Sequence, residues 1–201
     1  MKFILLILLT LSCSSKELCS SDLRDIAEED QSDRKNFFKM SEEELSDLSY
    51  RDAERRNKVS EFSRMGCLNT AEDFKNAALV FQHGSEPHDF YRSFEWSKKG
   101  IALGDISQRS MLAMALDRYL VKSGMKQLFG TQATKDSGSP CWCLEPYEEK
   151  FSEATRVLYT GKSIAEQSKW VTDLNAGQDC KILSCNHSLK AVPEEYIREK
   201  W

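Results

Sequence analysis

Residues 76–83 read NAALVFQH and, thirty-six positions on, residues 112–119 read LAMALDRY. Each octet belongs to a run that is apolar on every side, AALVF at 77–81 and MLAMAL at 111–116. Each run ends in a polar pair, Gln82–His83 in the first and Asp117–Arg118 in the second. An exposed helix shows one apolar stripe, whereas a helix apolar all round is buried. Both runs are therefore read as buried helices at equivalent places in one fold. Sliding one onto the other sets Gln82 on Arg118 and His83 on Tyr119.

The flanking sequence divides into further helices. Residues 22–39 space Leu23, Ile26 and Phe37 by helical turns. Ser41 followed by Glu44 is a capping-box signature. It opens a long charged helix that stops at Gly66, with Leu45, Leu48, Val59, Phe62 and Met65 as its buried stripe. Thr70 caps the helix that ends before Gly84. Pro87, suited to a first turn, opens another with Phe90, Phe94 and Ile101 on one face. A further helix runs from about Ile106 to Lys122 and ends at Gly124. After Gln132 the texture becomes loop-like, ATKDSGSPCWC, and two more candidate helices follow at 147–161 and 163–175. The tail from Cys180 to Trp201 holds a short helix after Pro193 and is read as a strap tied onto the helical body. Runs with the alternation of half-buried strands are hard to find, so the expected fold is all-α, built of packed helical hairpins. FEWSKKGIALGD (94–105), between the two opening octets, resembles the second helix of a tetratricopeptide hairpin. The resemblance covers about residues 70–124 and lacks a third copy, so it implies local geometry and leaves an array open.

The chain begins MKFILLILLTLSC, with one lysine and then an apolar run from Phe3 to Leu11. The run is too short to span a bilayer and has the layout of a secretory signal. TLSC, ending at Cys13, resembles the lipobox of bacterial lipoproteins, although Thr10 stands where leucine is usual. That resemblance implies removal of residues 1–12, lipid on Cys13 and a membrane-anchored protein of the outer membrane or periplasm. A plain signal peptide and an uncleaved anchor are the alternatives. The expected organisation is then signal peptide 1–12, lipidated N-terminus and linker 13–21, helical core domain 22–140 and a C-terminal helical extension 141–201 packed on it.

Six further cysteines remain: Cys19, Cys67, Cys141, Cys143, Cys180 and Cys185. An even number in an exported chain points to disulfides, with fifteen connectivities open if all pair. A bond within Cys141–Cys143 is cramped, which favours pairing that segment with Cys180 or Cys185. Four thiolates from CWC and CKILSC are the weaker, zinc-binding alternative, because neither spacing is the usual C-x2-C knuckle. His83, His88 and His187 have no ligand-like spacing, so no metal is expected, and no motif asks for a cofactor. The chain has 201 residues, 40% hydrophobic and 30% charged, as suits one globular domain. A formal charge of −4 argues against nucleic acid as a partner, since phosphate binding wants a basic face.

The polar ends of the two buried helices need partners, because an uncompensated buried charge costs several kcal/mol. One reading is structural: Asp117 and Arg118 as an ion pair, and His83 as a helix-end residue favoured by the dipole. Asp30, Gln31 and Arg34 add a second polar group at helical spacing. DQSDR (30–34), FQHG (81–84) and DRYLVKSGMKQLFGTQ (117–132) together resemble a bacterial domain family of uncharacterised function. Its pattern is D-Q-x-x-R, then Q-H, then D-R followed by G-x-x-Q-x-x-G-T-Q, matched over about residues 22–132. The family carries no activity to transfer. The matched residues Asp30, Gln31, Arg34, Gln82, His83, Asp117, Arg118, Gln127, Thr131 and Gln132 form the candidate site. Because two apolar helices end in polar pairs at matching positions and the chain must turn back after Gly124, Gln82, His83, Asp117, Arg118 and Gln132, joined by Arg34, are expected to converge on one internal polar pocket. Two functions fit such a set. The first is an envelope binding or scaffolding protein whose pocket takes a peptide or a small anionic ligand. The alternative is an enzyme of hydrolase or transferase type with His83 as general acid or base. Histidine's ordinary pKa of about 6.5 suits that work near neutrality. Asp117 would then orient His83, and Arg34 and Arg118 would clamp an anion. Against the enzyme stands the lack of G-x-S-x-G, H-E-x-x-H or a reduced Cys–His pair.

Overall fold

The computed structural model describes residues 19–135, 138–181 and 183–198. Cys13 and the apolar run before it lie outside these residues. Helix α1 spans 19–33 and tightens into a 3-10 segment at Arg34–Lys39. Then come α2 (Glu42–Arg64), α3 (Ala71–Phe81), α4 (Pro87–Ala102), a 3-10 turn at Ile106–Gln108 and α5 (Arg109–Lys122). The capping residues do what their chemistry requires. The Glu44 N–H donates to Ser41 Oγ at 3.2 Å, and the Ser41 N–H donates to the Glu44 carboxylate at 2.7 Å, which is the reciprocal box. Thr70 and Asp73 repeat that exchange at the start of α3.

Helices α3, α4 and α5 form the spine, and α4 separates two apolar clusters. On one side Phe94 packs with Leu112, Leu116 and Leu120 of α5 and with Leu128 and Phe129 beyond it. On the other, Trp96 packs with Ala77, Ala78 and Phe81 of α3, joined by Leu23 and Ile26 of α1 and Val59 of α2. Ala77, Ala78, Ala113 and Ala115 are fully buried, and their small side chains let the helices approach closely. The opening octets are thus the inner helices. Helix α2 departs from its expected stripe. Leu48 and Val59 are buried, but Leu45 and Met65 are 36% and 64% exposed, and Asp52 and Arg55 are buried instead. Met65 lies past the last helical turn, and Leu45 faces a cleft described below.

The molecule is mostly helical, as expected, with a small two-stranded sheet added. After α5 the chain forms β1 (Ala133–Lys135) and β2 (Trp142–Leu144), antiparallel with Thr134 opposite Cys143. Three-residue strands are too short for alternation to show in a sequence. Helices α6 (Glu153–Thr160), α7 (Ile164–Leu174) and α8 (Glu194–Arg198) complete the molecule. Phe151, Tyr159 and Val192 enter the same cluster as Leu116 and Phe129, so the segment after residue 140 shares that core.

The cysteines pair as Cys19–Cys67, Cys141–Cys180 and Cys143–Cys185, so CWC is tied to the strap. With partners 48, 39 and 42 residues apart, each bond stabilises by about 4 kcal/mol in the chain-entropy account. Disulfides of this kind belong to oxidising compartments. No helix among the described residues is long and apolar enough to cross a membrane.

Asp73 joins the N-terminal ends of α1 and α3. It accepts hydrogen bonds from Ser20 Oγ at 2.6 Å and from the N–H groups of Asn69 and Thr70 at 3.0 and 2.8 Å. Burial alone pushes its carboxyl up, but these donors outweigh burial and hold it below the usual carboxylate range. A carboxyl whose folded pKa lies below its unfolded value of about 3.9 contributes stability above that pH and loses it as pH falls through the folded pKa. Asp73→Asn is therefore expected to melt below wild type at neutral pH, with the gap closing below about pH 4. Melting followed by circular dichroism tests this, and a gap that stays constant into acid counts against it.

Candidate functional site

The site starts from a carboxylate in the last turn of α1. Asp30 is fully buried. One of its oxygens accepts from Arg34 Nη1 at 2.9 Å, a helical turn later. The other lies 2.8 Å from His83 Nδ1 and also accepts from Gln31 Nε2 at 2.9 Å. Arg34 Nη2 reaches across to Asp52 of α2 at 2.5 Å, and Asp52 accepts in turn from Arg55 at 3.1 Å. Arg55 and Arg51 both pair with Asp33. Burial alone raises the Asp33 carboxyl, but these two guanidiniums outweigh it and hold it below the usual range. This ladder of charges joins α1 to α2, and it explains why α2 buries an aspartate and an arginine.

Arg118, near the end of α5, is placed differently. Its Nη1 donates to the Gln82 carbonyl at 2.6 Å and its Nε to Gln132 Oε1 at 3.3 Å, with the guanidinium 5.5 Å from the Phe90 ring centre. The octet alignment is therefore a physical contact. These partners are neutral, and no carboxylate pairs with Arg118 among the described residues. Burial, and after it the charge of Arg34, holds the Arg118 pKa below arginine's usual range.

Arg34, His83 and Arg118 line one cleft of about 530 Å³, with Asp52 and Arg56 of α2 beside them. Phe37, Leu45 and Leu48 make its apolar wall. Arg56 donates to the His83 carbonyl at 3.1 Å. The turn after His83 depends on Gly84, because a Cβ there would stand 2.2 Å from Asp89 Cβ. Asp89 in turn accepts from the N–H groups of Ser85 and Glu86 at 3.2 and 3.3 Å. With Nδ1 occupied by Asp30, the His83 ring has Nε2 remaining.

Asp117 is in neither of the places expected for it. It pairs with neither Arg118 nor His83. It is fully buried and accepts from the N–H groups of Leu128, Phe129 and Thr131 at 2.7, 3.0 and 2.9 Å, and from Thr131 Oγ1 at 2.9 Å. Burial pushes its carboxyl above the usual range, against the pull of those donors. Gln127 completes this clasp, donating to the carbonyls of Gln132 and Glu145 at 3.1 and 2.7 Å and accepting from the Gln132 N–H at 2.8 Å. Gly130 sits inside it at φ +78°, a conformation that favours glycine. Gln82 contributes its carbonyl to Arg118 while its side chain is buried beside Ser93, with Nε2 lacking a partner among the described residues. Gln31 is exposed and borders a different groove, with Lys35 and Asn76.

The expected single pocket thus resolves into a cleft (Arg34, His83, Arg118, backed by Asp30) and a clasp (Asp117, Gln127, Thr131), with Gln132 joining them. Sequence reasoning missed Asp52, Arg55 and Arg56. Their signal was present, since 48, 52, 55 and 59 follow one helical face, but it was charged where a buried stripe was sought. The strap adds a smaller polar group. His187 Nδ1 lies 2.8 Å from Glu145 Oε2, within 4.8 Å of Cys185 Sγ. Cys185 is held in its disulfide and has no thiolate to offer a metal. Comparison with protein-family models, curated proteins and solved structures finds no match for this chain.

Proposed function

We propose that the protein binds a small organic monoanion in the cleft between α2 and α5. The observation that carries this reading is Arg118, a largely buried guanidinium whose partners are all neutral. Burying a cation without an opposite charge is costly, and an anionic ligand supplies that charge with paired, charge-assisted hydrogen bonds. Arg34 lines the same cleft and its charge acts on Arg118, but its Nη atoms are held by Asp30 and Asp52, so the ligand's charge answers chiefly to Arg118. The local charge count sets the valence. Five guanidiniums (Arg34, Arg51, Arg55, Arg56, Arg118) stand against four carboxylates (Asp30, Asp33, Asp52, Asp89), a surplus of one. The apolar wall asks for an apolar body on the ligand. The disulfides suit an exported protein, and lipid on Cys13, which the lipobox resemblance implies, would hold the cleft at a membrane surface.

The test uses two monoanions with apolar bodies, diphenyl phosphate and benzoate, and neutral methyl benzoate as control. Either anion is expected to raise the melting temperature and to shift the Arg118 side-chain resonance, and methyl benzoate to do neither. If neither anion moves that resonance at millimolar concentration, the reading is wrong.

A further inference from the structure

We infer that the cleft hydrolyses a phosphodiester, with His83 as general base oriented by Asp30; the inference rests on the anion-binding reading above. Asp30 is buried, and its oxygen 2.8 Å from His83 Nδ1 favours a proton on that nitrogen. A carboxylate in that position sets the tautomer and leaves Nε2 with the lone pair. Asp30 is itself held by Arg34 and Gln31, so the ring is oriented by a fixed group. The His83 side chain is 22% exposed and lines the cleft. The backbone around it is fixed as well, since Arg118 donates to the carbonyl of residue 82 and Arg56 to that of residue 83. The base therefore sits where guanidiniums from α5 and α2 converge.

That convergence selects the substrate class. A bound carboxylate puts its charge on an unreactive group. A phosphodiester is a monoanion whose charged group is also its reacting centre, so the same guanidiniums hold it and stabilise the charge that develops on its non-bridging oxygens. In the step, His83 Nε2 takes a proton from water as the water oxygen bonds to phosphorus. The bond from phosphorus to the leaving oxygen breaks on the opposite side, that oxygen takes a proton from solvent, and His83 releases its own proton to solvent. Phosphodiester and water become phosphomonoester and alcohol, with no further reactant. Once the phosphomonoester loses its remaining proton, with a second pKa of about 6, it carries a second negative charge that the single surplus guanidinium does not match, which favours its release.

The experiment gives the full chain bis(4-nitrophenyl) phosphate and follows nitrophenolate release, with diphenyl phosphate binding measured separately. Wild type is expected to turn over, and His83→Ala to slow release by about 100-fold or more while keeping its binding. Added imidazole is expected to restore part of the lost rate, which a merely structural histidine would not allow. If wild type binds diphenyl phosphate but releases no more nitrophenolate than His83→Ala, hydrolysis is overturned and the binding reading stands. If diphenyl phosphate does not bind, both fall.

Discussion

Asp117→Ala should destabilise the protein more than any other single polar substitution in the motifs. The change removes the acceptor for three backbone N–H groups, those of Leu128, Phe129 and Thr131, and for the Thr131 hydroxyl. Leu128 and Phe129 are fully buried, so water cannot replace the lost acceptor without opening the core. Each buried donor left unsatisfied costs about 1–3 kcal/mol, and three together cost at least about 3 kcal/mol. Total stabilities of about 5–15 kcal/mol leave little margin for that. Asp117→Asn retains one acceptor oxygen but turns an NH2 toward N–H groups, and should fall between alanine and wild type. The structure also revises what to expect of Asp117→Leu with Arg118→Met. As a buried ion pair the two would tolerate joint apolar replacement, but Asp117 serves the clasp and Arg118 the cleft. The double variant should be as unstable as Asp117→Leu alone. Urea midpoints decide, and an Asp117→Ala midpoint near that of wild type would falsify the clasp.

Arg118→Met is expected to do the reverse, leaving the fold intact and removing the ligand. Methionine keeps the aliphatic stem against Phe90 and deletes a charge that no carboxylate among the described residues balances. The Gln82 carbonyl and Gln132 Oε1 each lose a donor. The relief of an unpaired, desolvated cation offsets that loss, so melting should stay near wild type. Hydrogen bonds to a charged group contribute about 1.5–3 kcal/mol, which corresponds to about 10- to 150-fold in affinity. Calorimetry with diphenyl phosphate should show a loss of that size. Wild-type affinity in Arg118→Met would move the ligand out of the cleft.

Much of the helical framework was legible because its signals are local. The runs at 77–81 and 111–116 announce burial by being apolar all round, and Ser41 with Glu44, and Thr70 as a cap, mark helix starts through contacts a few residues apart. The pairing of CWC with the strap followed from ring size. The site was legible as a set of residues but not as a set of partners. Asp117 and Arg118 read as a pair because they are adjacent, yet adjacent residues on a helix do not face each other. One therefore points at the returning loop and the other at the cleft. The true partner of His83 is Asp30, 53 residues away, and nothing in local spacing encodes that distance. The strands at 133–135 and 142–144 were missed for a related reason, since a three-residue ladder is set by its partner more than by its own pattern.

Gln132 reaches Arg118 only because the segment after Gly124 has doubled back. That segment is held by Glu145, whose N–H donates to the Gln132 carbonyl at 3.0 Å. Leu144, next to it, exchanges backbone hydrogen bonds with Leu183 and Cys185 of the strap at 2.7 and 2.9 Å. In time, this makes the Gln132 contact late. Helices α3 and α5 can form from neighbouring residues, whereas these pairings wait for long loops to close. A chain still emerging carries His83 and Arg118 well before it carries the Gln132 that holds the Arg118 guanidinium. The strap, which lines no part of the cleft, thereby sets the moment at which Arg118 gains that partner.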